Sequence, residues 1–155
     1  MSNLIINAKV FSLGGEFWVT DEAENPRYQV KGSLLRIPKQ FHIYDEQGRD
    51  LAKVTHSSIR PHFTLEIGGE HVAEVQQKFG FLMPRWSIDA HGVKVVGNIR
   101  TMNFEVQRGS AVIGRIDSQW SVRHKHRVEV LDSHDELLVL GLVLAIDCVK
   151  NVASR

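Results

Sequence analysis

Hydrophobic and polar residues alternate with a period of two along most of the chain before residue 132. The alternation is clearest in residues 63–67, 86–89 and 102–107. A strand with this pattern turns one face to a core and the other face to water, as strands of antiparallel sheets do. The pattern therefore predicts a mostly β protein.

Short turn signals, among them Gly14-Gly15 and Gly68-Gly69, divide the alternating region into segments. No linker or block of charge interrupts these segments, so residues 1–155 are predicted to form a single domain. So many antiparallel strands are expected to form a sandwich or a barrel, because an open sheet leaves unpaired edges. About twelve strands are predicted, near residues 4–10, 16–20, 27–32, 40–45, 50–56, 61–67, 71–79, 85–89, 93–98, 102–107, 110–118 and 125–131.

The pattern changes near the end of the chain, where residues 137–146 are all apolar or glycine. A helix that is apolar on every face must be enclosed on every face. Ser133 and Glu136 have the spacing of a capping box just before this run. The sequence therefore predicts a helix over about residues 134–150, with Ser133 as its N-cap and Glu136 as the reciprocal partner.

The apolar helix is too short to cross a membrane. Ten residues rise about 15 Å, whereas the hydrocarbon core of a bilayer is about 30 Å thick. We therefore expect a closed antiparallel barrel that encloses the helix along its axis. Gly141 weakens a helix by about 1 kcal/mol, so we expect the side chains of a strand to approach closely there. Asp147 is expected to bind strand-end amides or a basic side chain at the barrel mouth, because a buried carboxylate needs a partner.

Several segments, in this order, are similar to those of the LURP-one-related family within the tubby-like superfamily. They are residues 18–21, 28–32, 39–45, 48–54 and 142–147. The resemblance implies a barrel of about twelve strands threaded by a C-terminal apolar helix. Tubby domains bind phosphoinositide head groups, and phospholipid scramblases are usually placed in the same superfamily. No segment here resembles a phosphoinositide pocket, so the resemblance assigns no binding residue.

Composition and charge narrow the possible functions. The net charge of +1 provides no strong field that would attract nucleic acid. The single cysteine, Cys148, excludes an internal disulfide and a multi-cysteine zinc site, and in a buried helix its thiol is expected to be inert. The N-terminal residues do not resemble a signal peptide, so a cytoplasmic location is expected.

The densest basic cluster is residues 123–127. In a strand, Arg123, Lys125 and Arg127 share one face and could bind phosphate or an anionic membrane surface. The favoured interpretation is an ordinary solvent-facing strand, on which Glu129 dilutes the charge, and the binding role is the alternative. The cations of residues 31–39, which are Lys31, Arg36 and Lys39, would extend the cluster only if the fold brought them near.

No pattern in the chain is typical of an enzyme. His124 and His126 have a spacing that a metal site on a strand could use, but no further ligands accompany them, and no nucleophile elbow is present. We therefore expect no catalytic residue, metal or cofactor, and predict a non-enzymatic binding or regulatory module that engages anionic phospholipid and not nucleic acid. Two alternatives stay open: a hydrolase or metalloenzyme with a non-local site on the barrel rim, and a protein-interaction scaffold.

Overall fold

A computed structural model describes residues 2–7, 16–33, 40–56, 62–78, 85–90, 92–118 and 125–153. All twelve predicted strands are present, and β1 begins two residues earlier than predicted. The strands are β1 Ser2–Asn7, β2 Glu16–Thr20, β3 Pro26–Ser33, β4 Gln40–Tyr44, β5 Asp50–His56, β6 His62–Ile67, β7 Glu70–Lys78, β8 Arg85–Ala90, β9 Lys94–Asn98, β10 Asn103–Arg108, β11 Ala111–Asp117 and β12 Lys125–Val130. A 3₁₀ turn, Ser133–Asp135, leads into the helix α1, Glu136–Ala153.

The twelve strands form one antiparallel sheet in the order β8-β7-β6-β5-β4-β3-β2-β1-β12-β11-β10-β9. The first strand along the chain, β1, pairs with the last, β12. The two strands at the ends of the sheet, β8 and β9, meet only at a bridge between Ala90 and Val93 in the part of the chain that the structure describes. The predicted barrel is confirmed, but it is nearly closed rather than closed, with a seam between β8 and β9.

Helix α1 fills the interior of the barrel. Every residue from 139 to 149 is buried, and the helix packs chiefly against β5, β6 and β7. Alternate residues of each strand point inward to the helix, for example Val30, Leu65 and Val128, each of which has no exposed surface. The predicted enclosure of the helix is therefore confirmed. No helix among the described residues is long and apolar enough to span a membrane.

Two glycines allow the helix and the wall to approach each other closely. A Cβ atom on Gly141 of α1 would lie 2.7 Å from Cδ1 of Leu65 on β6. A Cβ atom on Gly114 of β11 would lie 2.7 Å from Cγ1 of Val139 on the opposite side of the helix. The expected close approach at Gly141 is confirmed.

The Gly141–Leu65 contact can be tested by a double-mutant cycle. Gly141→Ala should lower the free energy of unfolding by about 1–3 kcal/mol, because the added methyl group overpacks the core. In a Leu65→Ala background the same substitution should raise it by about 1 kcal/mol, because the clash is gone and alanine favours the helix. Urea unfolding of the four proteins measures both values. Equal effects in the two backgrounds would contradict the contact.

The start of the helix differs from the predicted capping box. The carboxylate of Asp132, not the hydroxyl of Ser133, accepts a hydrogen bond from the backbone N–H of His134 (3.0 Å). The α-helix begins three residues after Ser133, because the 3₁₀ turn comes first. The predicted roles of Ser133 as the N-cap and of Glu136 as its partner are therefore wrong.

Glu136 instead anchors the helix to the barrel wall, and only 4% of it is exposed. Its carboxylate accepts hydrogen bonds from Arg27 Nη2 (2.8 Å), Tyr28 Oη (2.7 Å) and Ser2 Oγ (2.8 Å). Burial, together with this bond to Glu136, raises the pKa of Tyr28 above its usual range. The neighbouring Asp135 pairs with Arg108 of β10 at 2.9 Å. The polar groups at the helix start thus attach it to β1, β3 and β10.

The opposite end of α1 carries a second set of ionisable residues. Asp147 is buried, and its predicted hydrogen bonds to strand ends or to a basic side chain stay a prediction. Burial, and then the charge of Asp147, raise the pKa of the Cys148 thiol well above its usual value. Burial lowers the pKa of Lys150, and the charge of Asp147 opposes that shift. The expected burial of Cys148 is confirmed.

Removal of the Glu136 anchor should destabilise the fold more than removal of an exposed carboxylate. Glu136→Ala should lower the free energy of unfolding by about 2–3 kcal/mol, because three donors at a buried site lose their acceptor. The matched control is Glu105→Ala, which removes the exposed partner of Arg115 and should cost less than about 1 kcal/mol. Denaturant unfolding compares the two, and equal losses would argue against the anchor.

Candidate functional site

The predicted basic cluster on β12 is described by the structure only in part. Arg123 lies outside the described residues, and Lys125 is placed by its backbone at the start of β12, opposite Asn7. Arg127 points outward, and its Nη2 atom lies 2.6 Å from Oε1 of Glu22 in the turn after β2. The charge of Arg127 is therefore compensated, and the binding role of the three cations stays a prediction.

The two histidines of that cluster do not form a described metal site. His126 alternates with the outward-facing residues of β12 and is 9% exposed, and so it lies in the inner layer of the wall. His124 lies outside the described residues. Within the described parts of the chain, no group of three or more histidine, cysteine or acidic side chains is arranged to hold a metal ion.

A different group of basic side chains comes together on the outer wall, in three neighbouring strands. Lys31 of β3 lies directly opposite His42 of β4, and His42 lies directly opposite Lys53 of β5. Adjacent strands are about 4.8 Å apart, so the three side chains form a continuous line across the sheet. We call Lys31, His42 and Lys53 the basic row.

The basic row differs from the charge pattern elsewhere on the wall. On the other side of the barrel, Arg115 of β11 stands between Glu105 of β10 and Glu129 of β12, at 3.1 Å and 3.6 Å from their carboxylates. Charges of opposite sign on neighbouring strands stabilise a sheet, whereas like charges directly opposite destabilise it. Lys31, His42 and Lys53 lie side by side with no acidic residue between them, and Glu16 and Glu66 lie opposite the two lysines at the ends of the row.

Two members of the basic row, His42 and Lys53, have acidic partners within salt-bridge distance, and Lys31 has none among the described residues. Nδ1 of His42 lies 2.8 Å from Oδ2 of Asp50, and Nζ of Lys53 lies 3.3 Å from Oε2 of Glu66. Nζ of Lys31 lies over the ring of Tyr44, 5.6 Å from its centroid, and no carboxylate of the described residues forms an ion pair with it. Glu16 of β2 lies directly opposite Lys31 and accepts a hydrogen bond from Gln29, so Lys31 is the member of the row without a salt bridge among the described residues.

A shallow groove of about 220 Å³ adjoins the row on its β5–β6 side. The β6–β7 turn bounds it with Gly68 and Gly69, which have positive φ values of 59° and 83° and present no side chain. The groove therefore stays open to a polar ligand beside His42 and Lys53. Its lining residues are His42, Asp50, Leu51, Ala52, Lys53, Glu66, Gly68 and Gly69.

Aromatic side chains occupy the next row of the same wall. Trp18 of β2 lies opposite Gln29 of β3, which lies opposite Tyr44 of β4. The indole-bearing Trp18 is 42% exposed, and Tyr44 stacks on His42 with ring centroids 6.0 Å apart. Tryptophan and tyrosine are enriched at the membrane–water interface in membrane-spanning proteins.

Sequence reasoning did not find the basic row, because its members are eleven residues apart along the chain and come from three strands. Only the register of two consecutive hairpins brings them together. Lys31, Arg36 and Lys39 were predicted to extend the cluster of residues 123–127 only if the fold brought them near, and Arg36 and Lys39 lie outside the described residues. The signal that could have revealed the row is the pairing in the β3–β4 and β4–β5 hairpins. Predicting that pairing from sequence requires the turn positions to within one residue.

Comparisons with known proteins agree with this architecture. The model of a family described as LURP-one-related matches residues 2–147. The chain is 23% identical over 152 residues to the uncharacterised protein YxjI of Bacillus subtilis, covering 96% of this chain and 94% of YxjI. It is also similar in fold to an Arabidopsis thaliana protein solved by X-ray crystallography, with a TM-score of 0.68, 16% identity, and coverage of 96% of this chain and 91% of the other.

Proposed function

We propose that this chain, which belongs to the LURP-one-related family, is a non-enzymatic binding module that recognises anionic phospholipid head groups through its outer wall. The observation that carries the proposal is the alignment of Lys31, His42 and Lys53 on adjacent strands, beside the exposed Trp18. Because α1 fills the barrel, a ligand of any size must bind on the wall or the rims.

The spacing and chemistry of the row suit a phosphate group. Lys31 of β3 and Lys53 of β5 lie on either side of His42, so adjacent members of the row can donate to different oxygens of one head group, and charge-assisted hydrogen bonds are stronger than neutral ones. A lysine near an anionic membrane surface contributes about 1 kcal/mol to binding. Trp18 and Tyr44 would lie at the level of the head groups, where amphipathic rings are favoured.

The family supports this proposal in general terms only. Tubby domains, which are similar in fold, bind phosphoinositide head groups, but similarity of fold does not assign a ligand. The argument therefore rests on the basic row of this chain. Anionic lipids are enriched in the cytoplasmic leaflet, so the proposal includes a cytoplasmic location.

The buried thiol gives no support to a competing catalytic role. Cys148 is 3% exposed, and its raised pKa keeps it in the unreactive thiol form. An enzymatic function would therefore need a nucleophile or a metal from another part of the chain. Analysis of purified protein for stoichiometric zinc or iron addresses this alternative directly.

Flotation with vesicles tests the proposal. The protein should float with vesicles of phosphatidylcholine that contain phosphatidylserine or a phosphoinositide, and added salt should release it, because the attraction is electrostatic. Lys31→Gln should weaken binding about fivefold, which corresponds to the loss of one lysine at the surface. Trp18→Ala should also weaken binding by removing the interfacial ring.

The matched control is Arg115→Gln, which removes the same charge from a residue held between two glutamates. It should leave flotation unchanged. If Arg115→Gln weakens binding as much as Lys31→Gln does, the attraction depends on net charge and not on the basic row. Absence of salt-sensitive flotation with anionic vesicles would overturn the proposal altogether.

A further inference from the structure

The seam between β8 and β9 is the place where the described sheet has edges. Strand β8 pairs with β7 and β9 pairs with β10, but beyond the Ala90–Val93 bridge the two strands do not pair with each other. Each strand therefore directs part of its backbone N–H and C=O groups away from the sheet. Such an edge is a template for pairing with another strand.

The core is also less well covered at the seam than elsewhere. Val106 and Val75 are completely buried, yet their cross-strand partners Val95 of β9 and Ile88 of β8 are only half-buried. On the outer face of β9, Val96 is 43% exposed. Among the described residues, Val96 and Trp18 are the two large hydrophobic residues that are exposed. Apolar surface thus lies at an unpaired edge.

We infer that β9 is the contact between two copies of this chain, which pair antiparallel across a two-fold axis at Val96. In this register Val96 lies opposite Val96 of the second copy, and each exposed valine covers the other. Lys94 lies opposite Asn98 of the second copy, so no like charges face each other. Val95 lies opposite Gly97, whose missing side chain leaves room for the valine.

The sequence of β9 fits this symmetric arrangement better than the alternative registers do. Residues directly opposite each other in an antiparallel pair point to the same side of the sheet, whereas consecutive residues of one strand point to opposite sides. The two-fold axis must therefore pass at a residue and not between two residues. An axis at Val95 or at Gly97 places Val96 opposite Lys94 or Asn98 and leaves its apolar surface against a polar side chain. A contact of five residues on each side is small compared with stable interfaces, and so the dimer is expected to be reversible.

Sedimentation velocity from micromolar to near-millimolar protein tests the inference. The wild type should shift from monomer to dimer as concentration rises. Val96→Lys should remain monomeric, because two like charges would face each other at the axis. Trp18→Lys is the matched control: it places the same charge on an equally exposed site of a strand that pairs on both sides, and it should dimerise as the wild type does.

Disulfide trapping tests the register. In Val96→Cys the two introduced thiols lie on directly opposed residues, whose Cα atoms are about 4.5–5.5 Å apart, within the range of a disulfide. Mild oxidation should therefore yield a covalent dimer. In Asn98→Cys the Cα atoms of the two introduced cysteines are about 14 Å apart and should not cross-link. The buried Cys148 does not interfere.

The sedimentation and cross-linking experiments test dimerisation through β9 independently of lipid binding. A wild type that stays monomeric throughout, or a dimer that persists in Val96→Lys, would overturn the inference. So would loss of the dimer in Trp18→Lys, since the contact would then lie on the outer wall. Equal cross-linking of Val96→Cys and Asn98→Cys would overturn the register.

Discussion

Enclosure of the apolar helix is the constraint on which the rest of this structure depends. Residues 139–149 are buried on every side of α1, and no single face of a flat sheet could achieve that. The wall must curve around the helix, and twelve strands with inward-facing apolar residues provide the circumference. The helix in turn supplies the core that the inward residues of the strands need. Neither the sheet nor the helix would bury its apolar surface without the other.

The same constraint determines where this protein can act. A helix about 10–12 Å across occupies the interior, so any ligand would bind at the surface. On that surface the register of the hairpins decides which charges become neighbours. The same wall places Arg115 between two glutamates and places Lys31, His42 and Lys53 next to one another. Two residues of slippage would keep the faces of a strand but change its neighbours, so the register determines which charged side chains meet.

The sequence was sufficient to predict the elements of the fold but not the contacts between distant strands. Period-two alternation located the strands, and the length of residues 137–146 argued against a spanning helix and favoured a helix enclosed by protein. The need for room at Gly141 followed from helix propensity alone. The capping box failed because Glu136 found Arg27, Tyr28 and Ser2, which are more than 100 residues away in the chain. A local spacing rule cannot represent competition from such partners.

The candidate site was missed for the same reason. A run of basic residues such as 123–127 is conspicuous in sequence, yet Arg127 is compensated by Glu22, 105 residues away. Lys31, His42 and Lys53 are inconspicuous individually and become a site only through two hairpin registers. The seam shows the complementary effect: Val96 lies in a strand of ordinary sequence, and only the missing neighbour makes it notable. The basic row lies on β3–β5, away from β9, so a pair of chains joined at β9 would keep both rows uncovered. Under the proposed lipid-binding role, two such rows on one assembly would bind a surface more strongly than one.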